Sequence, residues 1–139
     1  MQCCTFRLDG ALYGVDVLHV QEILRRQDVT PVPLSPSAVD GLINLRGRIV
    51  AAVCLRRRLG LPRRQDGQGI ANVIVRLDQD AVSLVVDAIN DVLDIDDAAI
   101  VSTPDTVEAA IRPMLAGVVP LPKELLLILD VRSSLSLAA

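Results

Sequence analysis

Tryptophan is absent, and Phe6 and Tyr13 are the only aromatic residues. Single-stranded nucleic acid is held largely by stacking on aromatic rings, so this chain is poorly equipped for it. Histidine is as scarce: His19 stands alone. One imidazole excludes most His-based acid–base and metal schemes. With no second ligand or nucleophile spaced to meet it, His19 reads as a surface or rim residue. The three cysteines, Cys3, Cys4 and Cys54, are odd in number and lack the paired spacing of a metal site. They read as small apolar fillers in a reducing compartment, with Cys3 and Cys4 facing opposite ways if they share a strand. Cys54 lies inside the most apolar run of the chain, which disfavours a nucleophilic role. No phosphate loop, G-x-S-x-G, H-E-x-x-H or paired-cysteine motif is present. No apolar run approaches the ~18 residues of a membrane span, and the opening MQCCTFRLDG lacks a basic region followed by an apolar one. A cytoplasmic, non-catalytic binding module is the expectation.

What the chain has in quantity is aliphatic core. It is 51% hydrophobic, with a mean hydropathy of +0.44, carried by Val, Leu, Ile and Ala. Branched aliphatics suit many short β-strands, and 139 residues suffice for one domain with a real core. The net charge of −3 is unevenly spread: residues 1–69 hold ten Arg and six acids, about +4, while 70–139 hold four basic residues and eleven acids, about −7. Opposite-signed ends suit head-to-tail association with a partner or a second copy. Arg56, Arg57, Arg58, Arg63 and Arg64 form a basic cluster able to meet an anion. Without a helix-turn-helix pattern or zinc site, and with negative net charge, nucleic acid is not expected.

Along the chain, residues 3–15 read as a hairpin around the turn dipeptide Asp9-Gly10. Asp16 reads as the N-cap of a helix over 17–25, with Val17, Val20, Ile23 and Leu24 on the apolar side and Glu22 opposite, exposed. Pro31, Pro33 and Pro36 make 30–36 an extended connector. The stretch 41–55 reads as a second hairpin, apolar at Leu42, Ile43 and Leu45 and again over 49–55, with Arg46-Gly47 at its turn. Gly60 and Pro62 end any local helix, and 65–69 reads as a loop. A hairpin over 70–77 and 82–87 follows, then a strand at 89–95 whose broken alternation predicts a bulge. Asp94, Asp96 and Asp97 lack the spacing of a calcium loop and read as a solvated turn. Strands at 114–119 and 125–129 and a short helix at 131–137 capped by Asp130 complete the chain. Nine or ten short strands with two small helices predict a mainly β, barrel-type fold.

Four segments, in order, carry a resemblance. They are Tyr13-Gly-Val-Asp16 followed by Val17-x-x-Val20-Gln-Glu22-Ile23; Gly41-Leu-Ile-Asn-Leu-Arg-Gly47; Leu84-Val-Val-Asp87 with Asp91-Val-Leu93; and the closing strand from Leu126 to Asp130. Over nearly the whole chain this resembles the CheW-like domain family of bacterial chemotaxis coupling proteins. The resemblance implies two small SH3-like five-stranded β-barrels sharing an apolar seam, within a single domain of residues 1–139. Their approximate division falls near 65–70, with the chain free to cross between barrels. It implies no enzyme activity and no cofactor. It implies an adaptor joining chemoreceptor cytoplasmic tips to the regulatory domain of a CheA-type histidine kinase, in contact with other CheW-like domains, at receptor arrays on the inner face of the membrane but not inserted in it. The partner-binding positions it carries over are Val20, Glu22, Asn44, Leu45, Arg46 and Gly47, with Glu22 and Arg46 able to pair. Ala52 and Cys54 depart from the proline and aspartate that usually follow the N-L-R-G motif. An accessory role in another receptor–kinase pathway, or an anion or nucleotide sensor using the arginine cluster, are the alternatives.

Overall fold

Three two-residue turns fix the strand register. In the computed structural model, which describes residues 1–62, 64 and 69–135, Leu8 pairs with Ala11, Leu45 with Arg48, and Leu77 with Asp80. The first two turns have positive φ at both central residues, Asp9 (50°) and Gly10 (81°), then Arg46 (51°) and Gly47 (86°). Their twist therefore matches that of the flanking strands.

These turns organise ten strands among the described residues: β1 (Gln2–Leu8), β2 (Ala11–Asp16), β3 (Val20–Arg25), β4 (Val39–Leu45), β5 (Arg48–Cys54), β6 (Ala71–Leu77), β7 (Asp80–Val86), β8 (Ala88–Asp94), β9 (Leu115–Pro120) and β10 (Leu125–Leu129). Two short helices, α1 (Leu55–Arg58) and α2 (Val131–Leu135), follow β5 and β10. The strands form two five-stranded sheets, β8-β1-β2-β10-β9 and β3-β6-β7-β5-β4. The fold is mainly β, as expected, and each sheet curls as an SH3-like barrel around its own filling. Cys3, Leu12, Ile95, Val119, Leu126 and Ile128 fill the first barrel. Ile43, Ala52 and Val85, with Leu45, Val50 and Ile74, fill the second. A larger cluster joins Phe6, Tyr13 and Val15 of the first to Val73, Val75, Leu84 and Val86 of the second, which is the expected shared seam. Cys3 and Cys4 do face opposite ways: Cys3 into the first barrel, Cys4 into the seam.

The chain passes to the second sheet between β2 and β3 and returns between β7 and β8. The division expected near 65–70 therefore falls between β5 and β6 of one sheet, and the chain crosses between barrels at the two places named. The barrels repeat one plan in circularly permuted order: β3-β4-β5-β6-β7 corresponds to β8-β9-β10-β1-β2. Each has one parallel pair, β5 with β7 and β10 with β2. In each, one isolated bridge ties the segment after one edge strand to the opposite edge strand, Thr30 to Leu42 and Val101 to Val118. A glycine precedes the bridged residue in both. At Gly41 (φ 149°) an added Cβ would lie 2.1 Å from the Thr30 carbonyl oxygen. Gly41→Ala is therefore expected to cost at least ~2 kcal/mol in urea unfolding, from overpacking against backbone; an unchanged midpoint would contradict this close approach.

The helix expected over 17–25 is not formed. Asp16 does cap a helical turn, accepting from the Leu18 N–H at 3.0 Å, but that turn is a single 3-10 turn, Val17–His19. From Val20 onward the chain is β3, paired with β6 about fifty residues away. Four apolar residues at helical spacing were outweighed by a strand partner that no local window contains. Ile23, expected on the packed side, is exposed. The bulge predicted in 89–95 is present: Cys4 to Phe6 on β1 spans Val92 to Ile89 on β8. The described part of the last helix, α2, is capped by Asp130, whose Oδ1 accepts from the Ser133 N–H at 3.0 Å; residues 136–137 of its expected span, like 65–68 of the expected loop, lie outside the described residues.

In the proline connector, Ser35 N–H donates to the Val32 carbonyl and closes a turn with Pro33 and Leu34 at its centre. Leu34 has φ 62° and is fully exposed, so it carries left-handed strain with no packing in return. Leu34→Asn is expected to raise stability by about 0.5–1 kcal/mol, since asparagine tolerates this backbone; differential scanning calorimetry would show the rise in Tm.

Candidate docking site

The turn after β4 presents the site. Asn44 Oδ1 accepts from the Gly47 N–H at 2.9 Å, which holds the Arg46-Gly47 turn from inside the same motif. Leu45 points inward and packs with Val50 and Ile74. Arg46 is thereby held at the rim, and its Nη2 donates to Glu22 Oε2. Asn44, Leu45, Arg46, Gly47 and Glu22 are thus brought together.

The two partners come from opposite edges of one sheet, since β3 and the β4–β5 hairpin lie at its two ends. The pair therefore spans the opening of the second barrel. A bulge on β3 makes this possible. Val20 pairs with Val75 and Glu22 with Ile74, leaving Gln21 as the extra residue. Without it, Val20 and Glu22 would share a face. With it, Val20 packs against the shared seam while Glu22 turns to the mouth of the second barrel. Glu22 was expected to be exposed on a helix; it is on a strand, its side chain 22% exposed, whereas Arg46 is 68% exposed. The hydrogen bond from Arg46 holds the Glu22 carboxyl below its usual range, and the same bond raises Arg46. An exposed pair of this kind adds little to stability. It fixes the direction of one cation and one anion.

Next to the turn lies an apolar face that the sequence did not reveal. Leu42 pairs with Ala51 and Asn44 with Ile49, so these four share the outer face of β4 and β5. Leu42 and Ile49 are exposed. The signal was partly there, in Leu42 and Asn44 alternating with Ile43 and Leu45. It was hidden on β5, where both faces are apolar.

The arginine cluster does not gather into one open surface. Arg56 is buried, donating to Asp87 through Nε (2.8 Å) and Nη2 (2.6 Å) and to the Pro62 carbonyl. Arg57 donates to Asp40 and the Ser37 carbonyl, Arg58 to the Ser133 and Ser134 carbonyls, and Arg64 to Asp87. Arg63 lies outside the described residues. Apart from the Pro62 carbonyl, 6 positions from Arg56, these acceptors are 17 to 76 positions away in the chain, which is why the arginines read as an open basic cluster in sequence. Asp96, read as part of a solvated turn, caps a 3-10 turn by accepting from the Ala98 N–H. Among the described residues no helix is long and apolar enough to cross a membrane.

The CheW-like domain model matches residues 2–139. A chemotaxis protein CheW of Treponema pallidum is 30% identical over 97% of this chain and 82% of its own length. One from Klebsiella aerogenes is 30% identical over 94% and 79%. The crystal structure of the scaffolding protein TtCheW from Thermoanaerobacter tengcongensis superposes with a TM-score of 0.83 at 28% identity, covering 93% of this chain and 88% of that one.

Proposed function

Because this chain belongs to the CheW-like domain family, we propose that it is a non-catalytic adaptor coupling chemoreceptor cytoplasmic tips to the regulatory domain of a CheA-type histidine kinase. The observation that carries the reading is the Glu22–Arg46 pair across the mouth of the second barrel. It contributes little as packing, yet three devices hold it: the Gln21 bulge, the Asn44–Gly47 hydrogen bond and the buried Leu45. Beside it lie exposed Leu42 and Ile49. A fixed charge pair next to apolar surface is the composition of a protein–protein contact, with burial supplying affinity and charge supplying register.

In this reading Leu45 shapes the floor of the site, Val20 anchors β3 in the seam behind Glu22, and Asn44 and Gly47 hold the turn that presents Arg46. The protein works in the cytoplasm, at receptor arrays, without entering the bilayer. Counted by barrel, residues 20–87 hold ten basic and seven acidic residues and the remainder four basic and ten acidic, and this opposite charge of the two barrels favours end-to-end contact with other CheW-like domains. The test is a pull-down with the purified chain against a CheA regulatory domain and a receptor-tip fragment, each offered separately. Binding to both is expected of a coupler. Binding to neither would refute the proposal.

A further inference from the structure

The barrel repeat places Arg56 and Arg132 at equivalent positions, each the second residue of its helix. It also places Asp9 and Asp78 at equivalent positions, each the first residue of a hairpin turn, at φ 50° and 57°. Each arginine reaches across the seam toward the turn of the other barrel. Arg132 of the first barrel grips Asp78 of the second through Nη2 (2.9 Å) and Nη1 (3.2 Å). Arg56 of the second barrel has Nη1 3.8 Å from Asp9 Oδ1 of the first. The two clamps are not equal. Arg132 and Asp78 are 69% and 68% exposed. Arg56 is 4% exposed and also holds Asp87, where the chain crosses back to the first barrel. Asp87 Oδ2 in turn accepts the Asp9 N–H at 2.9 Å, and the Asp87 N–H donates to the Arg7 carbonyl at 3.1 Å. Arg64 adds a further bond to Asp87 at 3.0 Å.

The seam these clamps span is mostly branched aliphatic. Its ring contact, Phe6 on Tyr13, lies within one barrel. Aliphatic packing is strong but weakly directional and tolerates repacking. Direction has to come from groups with fixed geometry, and a bidentate guanidinium–carboxylate bond is one.

We propose that Arg56 and Asp87 are positioning residues that set the angle between the two barrels, and with it how the docking site on the second barrel is set against the first, with Arg132–Asp78 as a lesser second clamp. The docking half of this rests on the adaptor reading; the angular half does not. The test compares residual dipolar couplings of the two sheets in the intact chain. In the wild type one alignment tensor should fit both sheets. The double variant Arg56→Met with Asp87→Leu replaces the pair by apolar groups, a change that proteins often tolerate without loss of stability. It should keep each sheet's internal couplings but require separate tensors, and should bind the kinase regulatory domain at least tenfold more weakly. Arg132→Gln should still fit one tensor. A single tensor in the double variant would overturn the proposal. So would failure of that variant to form both sheets, because the pair would then be needed for folding itself, and so would separate tensors in Arg132→Gln. If the wild type binds neither kinase nor receptor fragment, the adaptor reading fails while the tensor result still decides the angular one.

Discussion

Asp87→Ala is expected to destabilise the protein by about 3–5 kcal/mol, because it leaves the Arg56 guanidinium buried without its counter-charge. For a domain of this size that corresponds to a fall in Tm of roughly 10–20 °C. Asp87 accepts from Arg56, Arg64 and the Asp9 backbone at once. Burial alone would raise its carboxyl, but the bonds from Arg56, Asp9 and Arg64 outweigh burial, and the group is held below its usual value. A carboxylate lowered in the folded state adds stability above its unfolded pKa, near ~3.9, and loses that contribution as pH falls through its folded value. The gap between wild type and Asp87→Ala in urea unfolding should therefore be full at pH 7 and shrink below about pH 4. A gap that stays constant down to pH 2 would mean the charge of Asp87 is not what stabilises.

Arg46→Glu is expected to leave the fold intact and to weaken docking of a receptor tip or kinase regulatory domain by about tenfold to a hundredfold, the scale of a reversed charge at an interface. The fold should survive because Arg46 is exposed at a turn whose backbone is set by Gly47 and Asn44. Thermal unfolding would report the first point and titration calorimetry the second. The charge swap Glu22→Arg with Arg46→Glu separates two roles. If the pair acts only by holding the barrel mouth, the swap restores docking. If Arg46 itself meets the partner, docking stays weak although the pair is remade. Unchanged docking in Arg46→Glu alone would remove this pair from the site.

Much of the fold was legible because short-range rules governed it. Asp9-Gly10 and Arg46-Gly47 supply residues that adopt positive φ, and each specified a hairpin from four residues of sequence. Asp16 and Asp130 capped turns where expected, and the bulge in β8 showed as a broken alternation. What failed did so at long range. Residues 17–25 have a helical spacing of apolar side chains, but most of them pair with β6, and the Gln21 bulge gives Val20 and Glu22 different faces. The division that the resemblance implied near 65–70 falls between β5 and β6, which are strands of one sheet.

The residues proposed for docking divide the same way. The motif around Asn44 to Gly47 is contiguous, so its turn could be read directly, and the family resemblance supplied Glu22 as its partner. That these two close a barrel mouth, that Leu42 and Ile49 face outward beside them, and that Arg56 is buried against Asp87 were decided only by tertiary pairing. Sequence by itself determined that this is an aliphatic β protein with little catalytic equipment and tight turns at known places, because composition and turn chemistry act locally. Which arginine stays at the surface and which is buried is set by acceptors tens of residues away, and only the folded chain brings them within hydrogen-bonding distance.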